Sequence, residues 1–311
     1  MRRESALSIY NLECMELALN AGFGDPIQHE LALIASLGFT VVRQDLFAHG
    51  DGAPIEALVA EFAGQTVRPL FLLAGGKMEH DDGAGRIEPH ELAARATRLV
   101  AAANACALVS YAVEVGNEPD IANDDYASRP QDFAEAVRQS HEALRAAGFD
   151  GPVISGGVSN LNERGLDYLK RTLAVVTVPA DVIVGFHRYP EKARGALAPH
   201  DGFTSRDDEW NALMAISGAR ALACTEFGYH TAPERIVGFI TKTRTDRQVA
   251  ASVMWDIQFY TERAVTVAAV FQLNDGPDPN KMEHCYGIRR MNGELKPVAL
   301  AIQHAFAPPV V

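Results

Sequence analysis

A single-domain (β/α)8 barrel, an α/β fold spanning residues 1–311, is what this sequence predicts, and three observations predict it. Apolar runs rich in β-branched residues alternate with amphipathic segments of helical period from end to end, in eight pairs. The 311 residues are within the range that one such barrel uses. No domain-separating linker, internal repeat or low-complexity tract interrupts the pattern. Strand-then-helix units require parallel strands with helical crossovers, and eight of them can close on themselves.

The first strand is predicted near Leu7 to Asn11, and the first helix near Pro26 to Leu37, stopped by Gly38. Thr40 to Asp45 reads as the second strand and Pro54 to Phe62 as a short helix. The third strand is Val67 to Leu73, followed by Gly75-Gly76-Lys77, a loop hinge rather than a phosphate cradle. Pro89, a favourable first-turn residue, opens a helix to Ala103. Leu108 to Gly116 is the fourth strand, Pro130 to Ala147 its helix with Gly148 as stop, and Val153 to Gly156 the fifth strand. A helix over Glu163 to Leu173 leads to the sixth strand, Asp181 to Phe186. Asp207 to Ile216 and then Arg220 to Thr225 supply the sixth helix and seventh strand. The long helix Arg247 to Thr261, the eighth strand Thr266 to Leu273 and a helix from Pro297 to Ala305 complete the series.

Composition narrows the function classes. The formal net charge of -12 disfavours nucleic acid or an anionic membrane as the main partner. Cys14, Cys106, Cys224 and Cys285 are scattered without zinc spacing and read as reduced structural thiols. The apolar stretch Ala6 to Tyr10 is too short for a signal-peptide core, and no run approaches the ~18 to 20 residues of a membrane span. A cytoplasmic location is expected. Ala21-Gly22-Phe23-Gly24 lacks the third glycine and acidic partner of a dinucleotide site, so no cofactor is expected. Among ten histidines, including His187, His230 and His284, none forms an HxH or HExxH pattern, so no metal is expected.

Chemistry concentrates at the strand ends. In a barrel the C-terminal ends of the strands face one mouth, so residues distant in sequence converge there. Five predicted ends are polar: Arg43-Gln44-Asp45, Asn117-Glu118, His187-Arg188-Tyr189, Glu226, and Gln272-Leu273-Asn274-Asp275. Glu118 lies in Gly116-Asn117-Glu118-Pro119 and Glu226 in Thr225-Glu226-Phe227-Gly228, each closing an apolar run.

These motifs resemble those of clan GH-A, the (β/α)8 retaining glycoside hydrolases, in which Asn-Glu, usually followed by Pro, ends the fourth strand and a glutamate ends the seventh. Phe186-His187-Arg188-Tyr189-Pro190 resembles the clan's His-x-Tyr on the sixth strand, and Arg43 its second-strand arginine. The closing segment Tyr286-Gly287-Ile288 with Lys296-Pro297 is similar too, so the resemblance covers the whole chain. It implies an O-glycosidase acting on a carbohydrate, with Glu118 as acid/base, Glu226 as nucleophile, Asn117 on the sugar 2-hydroxyl, and His187 orienting the sugar or the acid/base.

The chemistry explains the residue types. In the retaining mechanism one carboxyl protonates the departing oxygen and an ionised carboxylate attacks the anomeric carbon, the two lying about 5 to 5.5 Å apart. Arg43 and a hydrogen bond from Tyr189 would favour the ionised form of Glu226. The negative charge of Glu226 would in turn keep a proton on Glu118 until the glycosyl-enzyme forms. Arg43 has a structural reading as well, as the partner of Glu114, which alternation puts on the same strand face as Glu118. Asn274-Asp275-Gly276 is first of all a turn, with Gln272 and either Asn274 or Asp275 as candidate sugar contacts.

One departure from the clan shapes the substrate expectation. The two tryptophans, Trp210 and Trp255, fall in predicted helices, and Phe271 or Gln272 occupies the eighth-strand position where such barrels commonly stack a tryptophan. Few aromatic platforms argue for a short or exo-cleaved substrate. The alternative is a diverged, non-catalytic barrel that binds a carbohydrate or metabolite.

Overall fold

The computed structural model describes residues 15–21, 30–47, 55–74, 87–121, 126–175, 178–190, 199–237, 240–242 and 244–307. Eight parallel strands form its barrel: β1 (Glu16–Asn20), β2 (Val41–Asp45), β3 (Arg68–Leu72), β4 (Ala112–Val115), β5 (Val153–Ser155), β6 (Val184–Arg188), β7 (Leu222–Phe227) and β10 (Val267–Val270). Their order is β5-β4-β3-β2-β1-β10-β7-β6. Parallel bridges Ile154 to Ile183 and Val158 to Phe186 join β5 to β6 and close the ring. The helices are α1 (Leu31–Ser36), α2 (Ile55–Glu61), α3 (Pro89–Ala105), α4 (Pro130–Ala146), α5 (Glu163–Val175), α6 (Arg206–Ser217), α7 (Asp246–Glu262) and α8 (Pro297–Phe306).

The predicted first strand, Leu7 to Asn11, lies outside the described residues, and Glu16–Asn20 opens the barrel instead. That segment, Glu-Leu-Ala-Leu-Asn, consists largely of good helix formers without a β-branched residue, so local preference disguises it. Its parallel pairing with β2 and β10 overrides that preference. The early part of the predicted first helix, Gly22-Phe23-Gly24, Gly75-Gly76-Lys77 and Cys14 are likewise outside the described residues. An antiparallel hairpin, β8 (Glu234–Val237) with β9 (Ile240–Lys242), adds an element the strand count missed.

Helix starts follow their local chemistry. Pro89 and a reciprocal Glu88/Glu91 capping box begin α3, and Thr245 with Gln248 caps α7. Ser205 accepts the Asp208 amide at the start of α6.

Strand alternation sorts side chains into two apolar layers. Ala18, Val41, Leu70, Ile154, Ala223, Val267 and Ala269 fill the barrel interior. Leu19, Val42, Phe71, Val113, Val184, Phe186 and Cys224 point outward into the layer beneath the helices. Residues two and four positions beyond the interior set therefore rise toward the mouth on the inner face.

Candidate active site

Above the apolar floor, Arg43 organises the polar interior. Its Nε donates to Glu114 Oε2 at 2.5 Å, Nη1 to Glu226 Oε1 at 2.6 Å and Nη2 to Asn117 Oδ1 at 2.7 Å. The functional and structural readings of Arg43 thus both describe it. Because Asn117 Oδ1 accepts from Arg43, its amide nitrogen remains as the donor for a ligand.

Glu226 receives two further donors. Asn20 Nδ2 reaches Oε1 at 3.3 Å, and Tyr189 Oη donates to Oε2 at 2.5 Å. Burial opposes its charge, but His187, Arg43 and the Tyr189 hydrogen bond hold the carboxyl below its ordinary 4.5. Burial and the charge of Glu226 push the Tyr189 phenol well above its ordinary value, so Tyr189 keeps its proton and remains a donor.

A bulge gives Glu226 its direction. Ala223 faces the interior and Cys224 the helix layer, so strict alternation would turn Thr225 inward and Glu226 outward. Between the pairs Phe186–Cys224 and His187–Glu226, β7 carries one extra residue, and its pairing with β10 shifts at the same place. Thr225 and Glu226 consequently both meet the site, a common use of bulges beside functional groups.

The chain leaves β4 through Gly116 at φ 84° and Glu118 at φ 45°, both left-handed. A side chain at φ 45° costs on the order of 1 to 3 kcal/mol, and surrounding structure must impose it. Here the Glu118 amide donates to Gly157 O at 3.0 Å, and Asp120 accepts the Ser159 amide at 2.7 Å and its hydroxyl at 2.8 Å. Glu118 is the more open carboxylate, with 22% of its side chain exposed against 9% for Glu226.

His187 stands between the two acids. Its Nδ1 lies 3.1 Å from Glu118 Oε1 and 3.7 Å from Glu226 Oε2, while Nε2 lies 3.1 Å from Thr225 Oγ1. Burial opposes a charge on the ring, and both glutamates favour it strongly enough to raise its pKa above 6.5. A side chain at position 157 would crowd this ring, since a Cβ there would lie 2.4 Å from His187 Cδ2.

One ligand atom from each of Glu118, His187 and Glu226 lies within 4.8 Å of the others. Such a trio is also a conceivable cation site. Arg43 and Tyr189 already occupy the two oxygens of Glu226, so an ion would have to displace donors beside a fixed guanidinium. The donors around Glu226 fit an ionised, hydrogen-bonded carboxylate better than a metal ligand.

Two predicted sugar contacts have structural partners. Asn274 Oδ1 accepts from Arg289 Nε at 2.8 Å, and Arg289 in turn binds Glu30. Gln272 Nε2 donates to Glu283 O at 3.0 Å. Both side chains therefore brace the segment after β10, whose Asp275 pairs with buried Lys296 at 2.6 Å. Phe271 reaches the site instead, 5.9 Å from the Tyr189 ring and 5.5 Å from Tyr286. Trp210 and Trp255 pack on Phe259 in the helix layer. Sequence reasoning missed Asn20 and Thr225; a polar residue closing the apolar run Leu17-Ala18-Leu19 was the available signal for the first.

Comparison with solved structures adds to this geometry. The chain superposes on a family 39 glycoside hydrolase from the gut symbiont Bacteroides cellulosilyticus WH2 with TM-score 0.65 and 17% identity, over 95% of this chain and 64% of that one. The chain has the barrel fold of that protein. It also matches the exo-beta-1,4-mannosidase Op5Man5 from Opitutaceae bacterium strain TAV5, with TM-score 0.64, 16% identity, and 94% and 60% of the two chains covered. Thermotoga maritima Cel5A, solved with cellobiose, gives TM-score 0.63 and 13% identity over 93% of this chain and 98% of that one. The chain thus spans less than two thirds of the length of the first two and nearly all of the third. No protein-family model and no curated protein sequence matches it. Among the described residues no helix is long and apolar enough to cross a membrane.

Proposed function

We propose that the protein is a retaining glycoside hydrolase, with Glu226 as nucleophile and Glu118 as acid/base. The observation that carries this reading is an asymmetric carboxylate pair. One oxygen of each acid lies within 4.8 Å of the other, short of the ~6.5 to 9.5 Å that separates the carboxyls of inverting enzymes, and one acid is held ionised by three neighbours while the other is the more exposed.

In the first step Glu226 attacks the anomeric carbon, the glycosidic C–O bond breaks, and Glu118 gives its proton to the leaving oxygen. In the second, Glu118 takes a proton from water as that water's oxygen attacks the same carbon and releases Glu226. Arg43, Asn20 and Tyr189 keep Glu226 oriented through both steps. The Asn117 amide nitrogen is the donor for the sugar 2-hydroxyl, and Phe271 and Tyr286 offer a small apolar wall. Both tryptophans lie in the helix layer, which favours a short or exo-cleaved substrate. The names of the structural neighbours, an exo-beta-1,4-mannosidase and a beta-xylosidase among them, favour a β-glycoside.

A 2-fluoro glycoside with a good leaving group should label Glu226, identified by peptide mass. Glu118→Ala should lose about 10²- to 10⁴-fold in turnover and recover with added azide on activated aryl glycosides. Labelling at another residue, or no azide rescue, would overturn the assignment.

A further inference from the structure

Strand β2 directs every second residue into the barrel. Val41 belongs to the interior apolar layer, and Arg43 above it binds Glu114, Glu226 and Asn117. Asp45 is two residues further on the same face, about 6 to 7 Å nearer the mouth at ~3.3 Å per residue.

Four carboxylates thus rise from this interior, and three have side-chain partners. Glu114 and Glu226 receive Arg43, and Glu118 meets His187. Asp45 differs. Its Oδ1 accepts the Phe47 amide at 2.8 Å, and among the described residues no side chain donates to either oxygen. The neighbouring cations Arg43 and Arg95 act on Asp45 through charge, while Arg43 donates to its three acceptors and Arg95 to Ala74 O, with its guanidinium over the Phe47 ring. Burial pushes the Asp45 carboxyl up to about 6, since the Phe47 amide and Arg43 offset only part of the desolvation.

A partly buried carboxylate with vacant lone pairs is unfavourable unless donors arrive. Sugars bring adjacent hydroxyls, and an ionised carboxylate can accept from two at once. The geometry points to Asp45 as a specificity-determining residue that accepts hydrogen bonds from one or two adjacent hydroxyls of the sugar held between Glu118 and Glu226. The inference rests on the glycosidase reading for its ligand class, and it adds a residue that the bond-breaking steps leave unused.

The test compares wild type, Asp45→Ala and Asp45→Asn on 4-nitrophenyl β-D-glucoside, mannoside and xyloside, and on monodeoxy analogues of whichever is cleaved. Asp45→Ala should lose about ten- to a hundredfold in kcat/KM on the parent glycoside. On the analogue lacking the contacted hydroxyl, wild type and variant should converge within about twofold, because that contact is already gone. Asp45→Asn retains an oxygen for the Phe47 amide, so it controls for folding; it should show the same hydroxyl dependence with an unchanged Tm. Equal losses on every analogue, or full activity of Asp45→Ala on the parent, would overturn the role. If wild type cleaves none of the three glycosides, binding decides Asp45 independently of turnover. Glucose, mannose or xylose should then raise the Tm of wild type but not of Asp45→Ala. Equal shifts, or none with any sugar, would refute the contact.

Discussion

Arg43 and Arg188 sit on opposite walls of the barrel, both buried and both held by carboxylates, and they face opposite ways. Arg43 points inward to Glu114 and Glu226. Arg188 points outward beneath the helices, donating to Glu209 at 2.9 Å and lying 3.8 Å from Asp256. Asp256 also binds Arg206 and accepts from Tyr229 Oη at 2.6 Å, while His200 donates its backbone amide to Glu209 at 2.9 Å. Both networks hold acids shifted downward, Glu226 in one and Glu209 in the other. A perturbed charge therefore does not by itself separate a candidate site from a structural network. Access does: Arg188, Glu209 and Asp256 are at most 2% exposed, whereas the Arg43 network opens to solvent through Glu118. A sealed network can only stabilise, and an open one can act on a ligand.

The largest expected effect breaks this contrast at its centre. Glu226→Gln should lower turnover at least ~10⁴-fold while the folded state persists, as steady-state kinetics beside thermal unfolding would report. Asp256→Ala should do the reverse, costing about 3 to 5 kcal/mol of unfolding free energy by taking the carboxylate partner from buried Arg206, with kcat of the folded fraction unchanged. Loss of kcat there would mean that the sealed network also sets the site.

Tyr189→Phe should reduce kcat about ten- to a hundredfold, the worth of one hydrogen bond to a charged group. Its pH profile carries the sharper reading. The Tyr189 hydrogen bond is one of the effects lowering the pKa of Glu226, so its removal raises that pKa and moves the acidic limb of kcat/KM to higher pH. An unmoved limb would deny the contact a role in ionisation.

The smallest effect lies in the sealed network. Burial opposes the charge of Glu209, but His200 and Arg188 outweigh it and lower the carboxyl from 4.5 to about 2. With the folded pKa below the unfolded one, its stabilisation is full above pH 4.5 and fades as pH falls toward about 2. Denaturant titrations of Glu209→Gln should show a shallower loss of stability than wild type across that window.

The motif residues were legible because their meaning is local. Asn117-Glu118-Pro119 and Thr225-Glu226-Phe227-Gly228 each close a strand, and Arg43, His187 and Tyr189 occupy the ends of two strands on opposite walls, whose side chains meet across the barrel mouth. Asn20 was hidden by the helix-like composition of β1, although it donates to Glu226 across 206 residues of chain. Gln272 and Asn274 stand where expected, but Glu283 and Arg289 engage them, partners that strand counting cannot anticipate.

By itself, the sequence determined the alternation of strand and helix from β2 onward, the β8/β9 hairpin aside, and the residue type at those strand ends, since periodicity, turn glycines and first-turn prolines act among chain neighbours. The direction of Glu226 was decided by tertiary structure alone. Alternation from Ala223 would aim it at the helices, and only the extra residue in β7, fixed by its registers with β6 and β10, turns it toward Arg43 and Tyr189. Register is a relation between segments distant in sequence, settled when the whole barrel packs.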